Sequence, residues 1–120
     1  MCGILFKLGP SRAALSAAVP TLRDEVAKRG PDCTQTHNID IAGSDSLPAI
    51  SLEFTSSVLS LRGQNVVKQP LLDDRYVFCW NGQVFRGLDV DITENDAERI
   101  WKAVLAGRDI VDILDEVEGP

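Results

Sequence analysis

The chain has 120 residues, of which 44% are hydrophobic and 25% are charged, the composition of a single globular domain with a hydrophobic core. Its formal net charge of −6, without any cluster of Lys and Arg, argues against a nucleic-acid partner. No apolar stretch approaches the roughly 20 residues of a membrane span, and no basic lead-in precedes the first apolar run, so neither a membrane segment nor a secretory signal is predicted.

The N-terminal segment combines a predicted strand, residues 3–7, with a cysteine directly before it. If Met1 is removed, Cys2 carries both a thiol and a free α-amine. The amine can take the proton of the thiol, and the resulting thiolate can attack a carbonyl carbon, which is the chemistry of N-terminal nucleophiles. A second interpretation stays open, because an unpaired cysteine beside an apolar run is also typical of a first buried strand.

The next segment has the apolar spacing of an α-helix. Its apolar stripe consists of Leu15, Val19, Leu22 and Val26. A proline is favourable as the first residue of a helix, so the helix is predicted over residues 20–28, after a separate helical turn. Gly30-Pro31 is predicted to end it.

The middle of the chain is rich in β-forming residues. A surface turn is predicted at residues 43–48, and strands are predicted at residues 49–54, 57–62 and 76–80. Asn81-Gly82 directly follows the last of these strands. By spacing alone, this dipeptide is most typical of a tight hairpin turn.

Two helices are predicted near the end of the chain. The first covers residues 93–106, where Thr93 can cap the N-terminus and acidic residues fill the first turn. The second, shorter helix covers residues 110–117. The resulting order of strands and helices, β-α-β-β-β-α, predicts an α+β domain built in layers.

The cysteines indicate a reducing compartment. Cys2, Cys33 and Cys79 are an odd number without a secretory signal, so they are expected to be free thiols in the cytoplasm. Cys33 and His37 are four residues apart, but His37 is the only histidine and no second close pair exists. No metal site is therefore predicted.

Five short motifs, together with Cys2, resemble a known family. They are Arg29-Gly30-Pro31-Asp32, Leu59-Ser60-Leu61-Arg62-Gly63, Gln69-Pro70, Trp80-Asn81-Gly82-Gln83-Val84-Phe85 and Glu94-Asn95-Asp96-Ala97-Glu98. In this order and spacing they resemble the glutaminase domain of class II (N-terminal nucleophile) glutamine amidotransferases. The residues of these motifs look closest to those of the asparagine synthetase domain-containing proteins, and the resemblance covers essentially the whole chain.

The resemblance implies an αββα sandwich of the N-terminal nucleophile hydrolase type, with residues 1–120 as the N-terminal portion of a type-2 glutamine amidotransferase domain. The family continues past a motif like Val117-Glu118-Gly119-Pro120 into further strands. The sandwich is therefore expected to be incomplete at the C-terminus, and the 120-residue chain alone is expected to be unstable or to associate. No Gly-rich loop for ATP is found, so ATP and Mg²⁺ are expected only in a synthetase domain that is absent here.

The resemblance also implies roles in the hydrolysis of glutamine to glutamate and ammonia. Cys2 is the implied nucleophile, forming a γ-glutamyl thioester, and Asn81 and Gly82 are the implied donors to the oxyanion. Arg62 is implied to bind the α-carboxylate of glutamine, and Asp96 its α-ammonium group. Outside the family context, Arg62 is also typical of a solvated strand end, and Asp96 of a residue that compensates a helix dipole.

One position departs from the family's pattern. Gln83 follows Asn81-Gly82 where asparagine synthetases carry a glutamate, so a negative charge near the amino end of the substrate is missing. The segment 29–32 is expected to support the site without touching substrate. Two hypotheses stay open: an enzyme domain that passes ammonia to a synthetase domain or partner chain, and a truncated or non-catalytic module that binds glutamine or another protein.

Overall fold

The structure is a computed structural model that describes residues 2–17, 20–91 and 93–119. Met1, Val19 and Pro120, which belong to the sequence patterns above, lie outside the described residues. Within the described ranges the chain is an α+β fold whose two sheets are both antiparallel. None of the helices described there is long and apolar enough to cross a bilayer.

The helices and strands follow each other in a simple order. They are β1 (Gly3–Gly9), α1 (Arg12–Ala17), α2 (Pro20–Arg29), β2 (Cys33–Ile41), β3 (Ile50–Val58), β4 (Leu71–Leu72), β5 (Val77–Phe78), α3 (Asp96–Leu105) and α4 (Ile110–Glu116). The predictions of the first strand, of the helix that begins at Pro20 with a helical turn before it, and of the last helix are confirmed to within two residues.

The main sheet has the strand order β1-β3-β2, with β3 in the centre and antiparallel to both neighbours. The register places Phe54 of β3 between Phe6 of β1 and His37 of β2. Helices α1 and α2 both pack against β1 and β3. The helices therefore form one layer and the sheet a second.

The face of β3 that points toward these helices is polar. Glu53 is only 2% exposed, and its carboxylate pairs with Lys7 of β1 at 2.8 Å and with Arg23 of α2. Burial alone raises the pKa of Glu53, but the hydrogen bonds and charges of Lys7 and Arg23 outweigh that effect and hold the pKa below its usual 4.5. On the same face, the Ser57 hydroxyl donates to the carbonyl of Val26 in α2.

The opposite face of the sheet is apolar and largely uncovered. Because side chains alternate along a strand and directly paired residues share a face, Ile4, Phe6 and Leu8 lie on the side away from the buried Glu53. These three side chains are 43%, 52% and 62% exposed. The ring of Phe6 packs on Phe54 with a centroid distance of 5.0 Å.

A second packing region lies around α3 and α4. Its centre consists of Val84, Ile100 and Ile113, each 1% exposed or less. Phe78 of β5 stacks on Trp101 of α3, with ring centroids 5.6 Å apart. This cluster packs side chains from residues 78–90 against α3 and α4.

The prediction of separate strands at residues 49–54 and 57–62 is wrong, because one continuous strand, β3, runs from Ile50 to Val58. The polar residues Thr55 and Ser56, between the two predicted strands, lie inside it, and the buried Ser56 hydroxyl has no hydrogen-bond partner among the described residues. Thr55 shares a hydrogen bond with Thr36 of β2, with 2.9 Å between the hydroxyl oxygens. Residues 59–62 lie outside the strands.

Two boundaries in the second half also differ from the prediction. Of residues 76–80, only Val77–Phe78 form a strand, paired with Leu71–Leu72. The following Asn81-Gly82 does not connect two strands, so its interpretation as a hairpin turn is wrong.

The predicted start of α3 is corrected as well. The helix begins at Asp96 and is capped by Asn95, whose side-chain oxygen accepts a hydrogen bond from the Ala97 N–H at 2.9 Å. Thr93 instead donates to Asp91 through its N–H and its hydroxyl. Residues 93–95 therefore lie outside the helix, which begins three residues later than predicted.

Candidate functional site

A cavity of about 150 Å³ brings together five separate segments of the chain. These are the residue before β1, the end of β3 with the residues after it, the segment before β4, the residues after β5, and the start of α3. All six residues that the sequence singled out line it: Cys2, Arg62, Asn81, Gly82, Gln83 and Asp96. The cavity lies where the main sheet meets the cluster around α3 and α4.

Cys2 is half-buried and is fixed against the end of the central strand. The backbone N–H of Leu59, one residue beyond β3, donates to the Cys2 sulfur at 3.4 Å, and the sulfur lies 3.7 Å from the Leu59 carbonyl oxygen. The side chain of Arg29 donates to the Cys2 carbonyl at 3.3 Å. The thiol is thus held by the backbone of Leu59, and the backbone carbonyl of Cys2 by the end of α2.

The segment after α2 contacts the backbone next to Cys2. Asp32 accepts a hydrogen bond from the Ser60 N–H at 2.7 Å and donates its own N–H to the Val58 carbonyl at 3.1 Å. Within the described part of the chain, residues 29–32 do not line the cavity. Their contacts hold the end of β3, and with it Leu59, in place.

Arg62 and Asp96 form an ion pair, with 2.8 Å between Nη1 and Oδ1. Their side chains are 19% and 7% exposed. The same Nη1 donates to the Val84 carbonyl at 2.7 Å, and the other carboxylate oxygen of Asp96 accepts the Val84 N–H at 2.9 Å. Arg62 is therefore not a solvated strand end, and Asp96 does more than compensate a helix dipole.

The guanidinium of Arg62 keeps free donors. A guanidinium carries five N–H groups, and among the described residues only Nη1 of Arg62 makes hydrogen bonds. Asp96 uses both oxygens, although each carboxylate oxygen can accept a second hydrogen bond. The pair can therefore bind one further anionic group and one further donor from a ligand.

The Asn81-Gly82 segment is held at both ends. Before it, the Trp80 N–H donates to the side-chain oxygen of Gln69 at 2.6 Å. After it, the Val84 N–H is bound to Asp96. The indole N–H of Trp80 donates to the Gly82 carbonyl at 3.1 Å and closes the segment on itself. A side-chain amide and a backbone stretch are thereby presented to the same cavity as the thiol.

Two further residues of the site were not assigned from the sequence. Gln69 is 3% exposed and lines the cavity, and Asn95 lines it from the start of α3. The Asn95 side-chain nitrogen donates to the Arg62 carbonyl at 3.3 Å, so the helix cap also holds the arginine. An Asn directly before an acidic first turn is a capping signal that could have located it. No signal in the sequence pointed to a partner for Gln69.

Two groups in this half of the chain have shifted pKa values. Hydrogen bonds from Thr93, with a contribution from the charge of Arg62, hold the pKa of Asp91 below its usual value. Burial raises the pKa of the Cys79 thiol, which keeps that thiol protonated at neutral pH. Among the described residues, no group of three His, Cys, Asp or Glu side chains is arranged to hold a metal ion.

Comparisons with known proteins give one consistent similarity. The chain is 30% identical to asparagine synthetase domain-containing protein 1 of Gallus gallus, over all of this chain and 19% of the relative. It is 37% identical to the protein of the same name from Homo sapiens, over 56% of this chain and 11% of the relative. An asparagine synthetase domain-containing protein of Drosophila melanogaster is 27% identical over all of this chain and 21% of its own length.

Four curated relatives align with the whole of this chain, and the chain spans about a fifth of the length of each of them. No protein-family model matches the chain, and no solved structure gives a match. The similarity is therefore one to asparagine synthetase domain-containing proteins, extending over this entire chain.

Proposed function

We propose that this chain is the N-terminal portion of a type-2 glutamine amidotransferase domain in an asparagine synthetase-like protein, and that the domain hydrolyses glutamine to glutamate and ammonia. The observation that carries the proposal is the single cavity lined by Cys2, Arg62, Asn81, Gly82 and Asp96. These residues come from four distant parts of the chain, yet they are the ones that such a reaction requires.

The reaction begins once removal of Met1 frees the α-amine of Cys2. The amine takes the thiol proton, and the sulfur attacks the side-chain amide carbon of glutamine. Asn81 and Gly82 donate to the oxygen that becomes negative, and the protonated amine then gives its proton to the leaving ammonia. Water hydrolyses the γ-glutamyl thioester to release glutamate and regenerate the thiol.

Recognition of glutamine rests on the ion pair. An α-amino acid carries one carboxylate and one ammonium group, which complement Arg62 and Asp96 respectively. The unused N–H groups of Arg62 form a planar fork that matches a carboxylate. Gln83 is a neutral amide beside them, so it can donate or accept a hydrogen bond but adds no charge to the recognition of the ammonium group.

The layers of the fold support the αββα sandwich. Helices α1 and α2 cover one face of the main sheet, and the other face is apolar and exposed. In a sandwich, a second sheet packs on that face about 10 Å away. We propose that further strands of the domain occupy it, and that a synthetase domain or partner chain in the cytoplasm, with ATP and Mg²⁺, uses the ammonia.

Selective labelling of Cys2 in the intact protein tests the proposal. A glutamine-like diazo-ketone should modify Cys2 in preference to Cys33 and to the protonated Cys79, because only Cys2 lines the glutamine cavity among these thiols. Peptide mass spectrometry locates the label, and ammonia release reports turnover. Cys2→Ala should abolish both, and the matched Cys33→Ala should retain both.

Other outcomes would exclude catalysis. Even labelling of the three thiols would show that Cys2 is not activated, and an intact mass with Met1 retained or Cys2 acetylated would remove the general base. Saturable glutamine binding without labelling or ammonia release would instead support the non-catalytic glutamine-binding module.

A further inference from the structure

Gln69 is a buried polar residue whose side chain binds the backbone on the way to the proposed oxyanion donors. It is 3% exposed, and its Oε1 accepts the Trp80 N–H at 2.6 Å. Since a backbone N–H can only donate, the oxygen and not the nitrogen of the amide must face Trp80. That bond determines which way the side-chain amide faces.

The bond replaces the strand pairing that ends just before it. Phe78 is the last residue of β5 and pairs with Leu71, whereas Trp80 lies beyond the strand. Among the described residues, Gln69 is the acceptor of the Trp80 N–H, which no strand pairing satisfies. The chain at this point is therefore held by a side chain and not by a sheet.

Only three residues separate this anchor from the next one. The Val84 N–H binds Asp96 at 2.9 Å, and the Trp80 indole binds the Gly82 carbonyl at 3.1 Å. Asn81 and Gly82 lie in the short span between the two anchors. An oxyanion donor acts only within about 2.7–3.1 Å of the developing charge, so a small shift of either anchor moves the donors out of range.

We propose that Gln69 is a positioning residue for glutamine hydrolysis, holding Trp80 so that Asn81 and Gly82 face the reacting carbonyl oxygen. The inference rests on the proposed function, because it assigns Gln69 to the oxyanion site of that reaction. Gln69 acts through Trp80, whereas Arg62 and Asp96 carry the substrate recognition. Its loss should therefore reduce turnover more than affinity.

Four variants of the intact protein test this assignment. Gln69→Leu removes the acceptor at similar volume, and Gln69→Asn keeps the amide but shortens its reach. Gln69→Glu keeps the shape and the accepting oxygen. Val67→Ala is the matched control, because Val67 is also buried, at 8% exposed, but does not line the cavity.

Two measurements are made on each variant: steady-state glutamine hydrolysis, and hydrogen exchange of the peptide that contains Trp80. Gln69→Leu and Gln69→Asn should lower kcat by about 10- to 100-fold with KM within about threefold of the parent, and should speed exchange at Trp80. Gln69→Glu should retain most of kcat, and hydrogen exchange at Trp80 should stay as slow as in the parent. Val67→Ala should retain kcat even if its melting temperature falls.

The outcomes separate the inference from the proposed function. If the parent protein releases ammonia and both Gln69→Leu and Gln69→Asn keep kcat within about twofold, the positioning role is overturned and the proposed function stands. An equal loss of kcat in Val67→Ala would also overturn it, because the effect would then follow from stability alone. A parent protein with neither ammonia release nor Cys2 labelling overturns both.

Discussion

Arg62 and Asp96 act as one unit in this structure. The sequence motifs placed each of them near a different end of the substrate, but they bind each other although they are 34 positions apart in the sequence. The pair is mostly buried, so each charge is stabilised by the other before any ligand arrives. Substrate recognition and the local stability of the α3 start are thereby coupled in the same two side chains.

We expect Arg62→Ala to weaken glutamine binding by about 2–4 kcal/mol. The variant loses the charge-assisted bond to the substrate carboxylate and leaves the buried Asp96 without its cation. Calorimetric titration with glutamine, in a Cys2→Ala background that prevents turnover, measures the loss. Arg62→Lys should recover the charge but not the fork, and should restore only part of the affinity.

Arg86→Ala is the control for that experiment. Arg86 is 81% exposed and forms a loose surface pair with Glu118 at 3.7 Å. Such pairs contribute little, so its affinity for glutamine should stay close to that of the parent. An Arg62→Ala protein with unchanged affinity would show that the assignment of the carboxylate to Arg62 is wrong.

At the scale of helices and strands, local patterns located β1, α2 and α4 because each has its own spacing or boundary signal. Strand β2 (Cys33–Ile41) was not predicted. Its central residues are polar, and among the described residues it pairs only with β3, at the edge of the sheet, so an alternating apolar pattern was never required. Tertiary pairing, which the local sequence does not encode, determines this strand.

The candidate site was also predictable from the sequence only in part. The motifs identified six residues that line one cavity, because a motif can be recognised from its residue types and their order alone. The Arg62–Asp96 pair and the bond from Trp80 to Gln69 could not be read from the motifs. Both are contacts between segments whose relative placement depends on the folded core.

The junction of α2 with β3 allows a sharp test at this scale. A Cβ added to Gly30 would lie 2.5 Å from the Val58 nitrogen and closer still to the Ser57 carbonyl. Because these are backbone atoms of the central strand, the clash cannot be relieved by a side-chain rotation. Gly30→Ala should lower the free energy of unfolding by about 3 kcal/mol, measured by urea denaturation of the intact protein.

Gly107→Ala provides a comparison without a clash. Gly107 has a φ of 89° and no atom within 4 Å of an added Cβ, so alanine there should cost only the left-handed backbone strain of about 1–2 kcal/mol. If both variants lose the same stability, close packing of Gly30 on β3 is not what limits its replacement. Loss of Cys2 labelling in Gly30→Ala alone would link the packing to the site.

At the scale of the whole molecule, the main sheet has its polar side covered and its apolar side exposed. Glu53 and Ser57 are buried under the helices, whereas Phe6 and Leu8 on the other face are more than half exposed. A sheet normally buries its apolar face against another layer. Ion pairs and hydrogen bonds hold the helices on the polar face of the sheet. The exposure of the apolar face is explained if a second layer packs on it.

The 120-residue chain on its own should therefore associate through this face. Contiguous exposed apolar surface and unpaired sheet edges both promote association, so analytical ultracentrifugation should show a mass that rises with concentration. Replacing Phe6 and Leu8 together with threonine keeps strand-forming residues but removes apolar surface, and should shift the chain toward monomer. Val111→Thr, at a position that is 61% exposed on α4, should not. A parent chain that stays monomeric at every concentration would contradict the need for a covering layer.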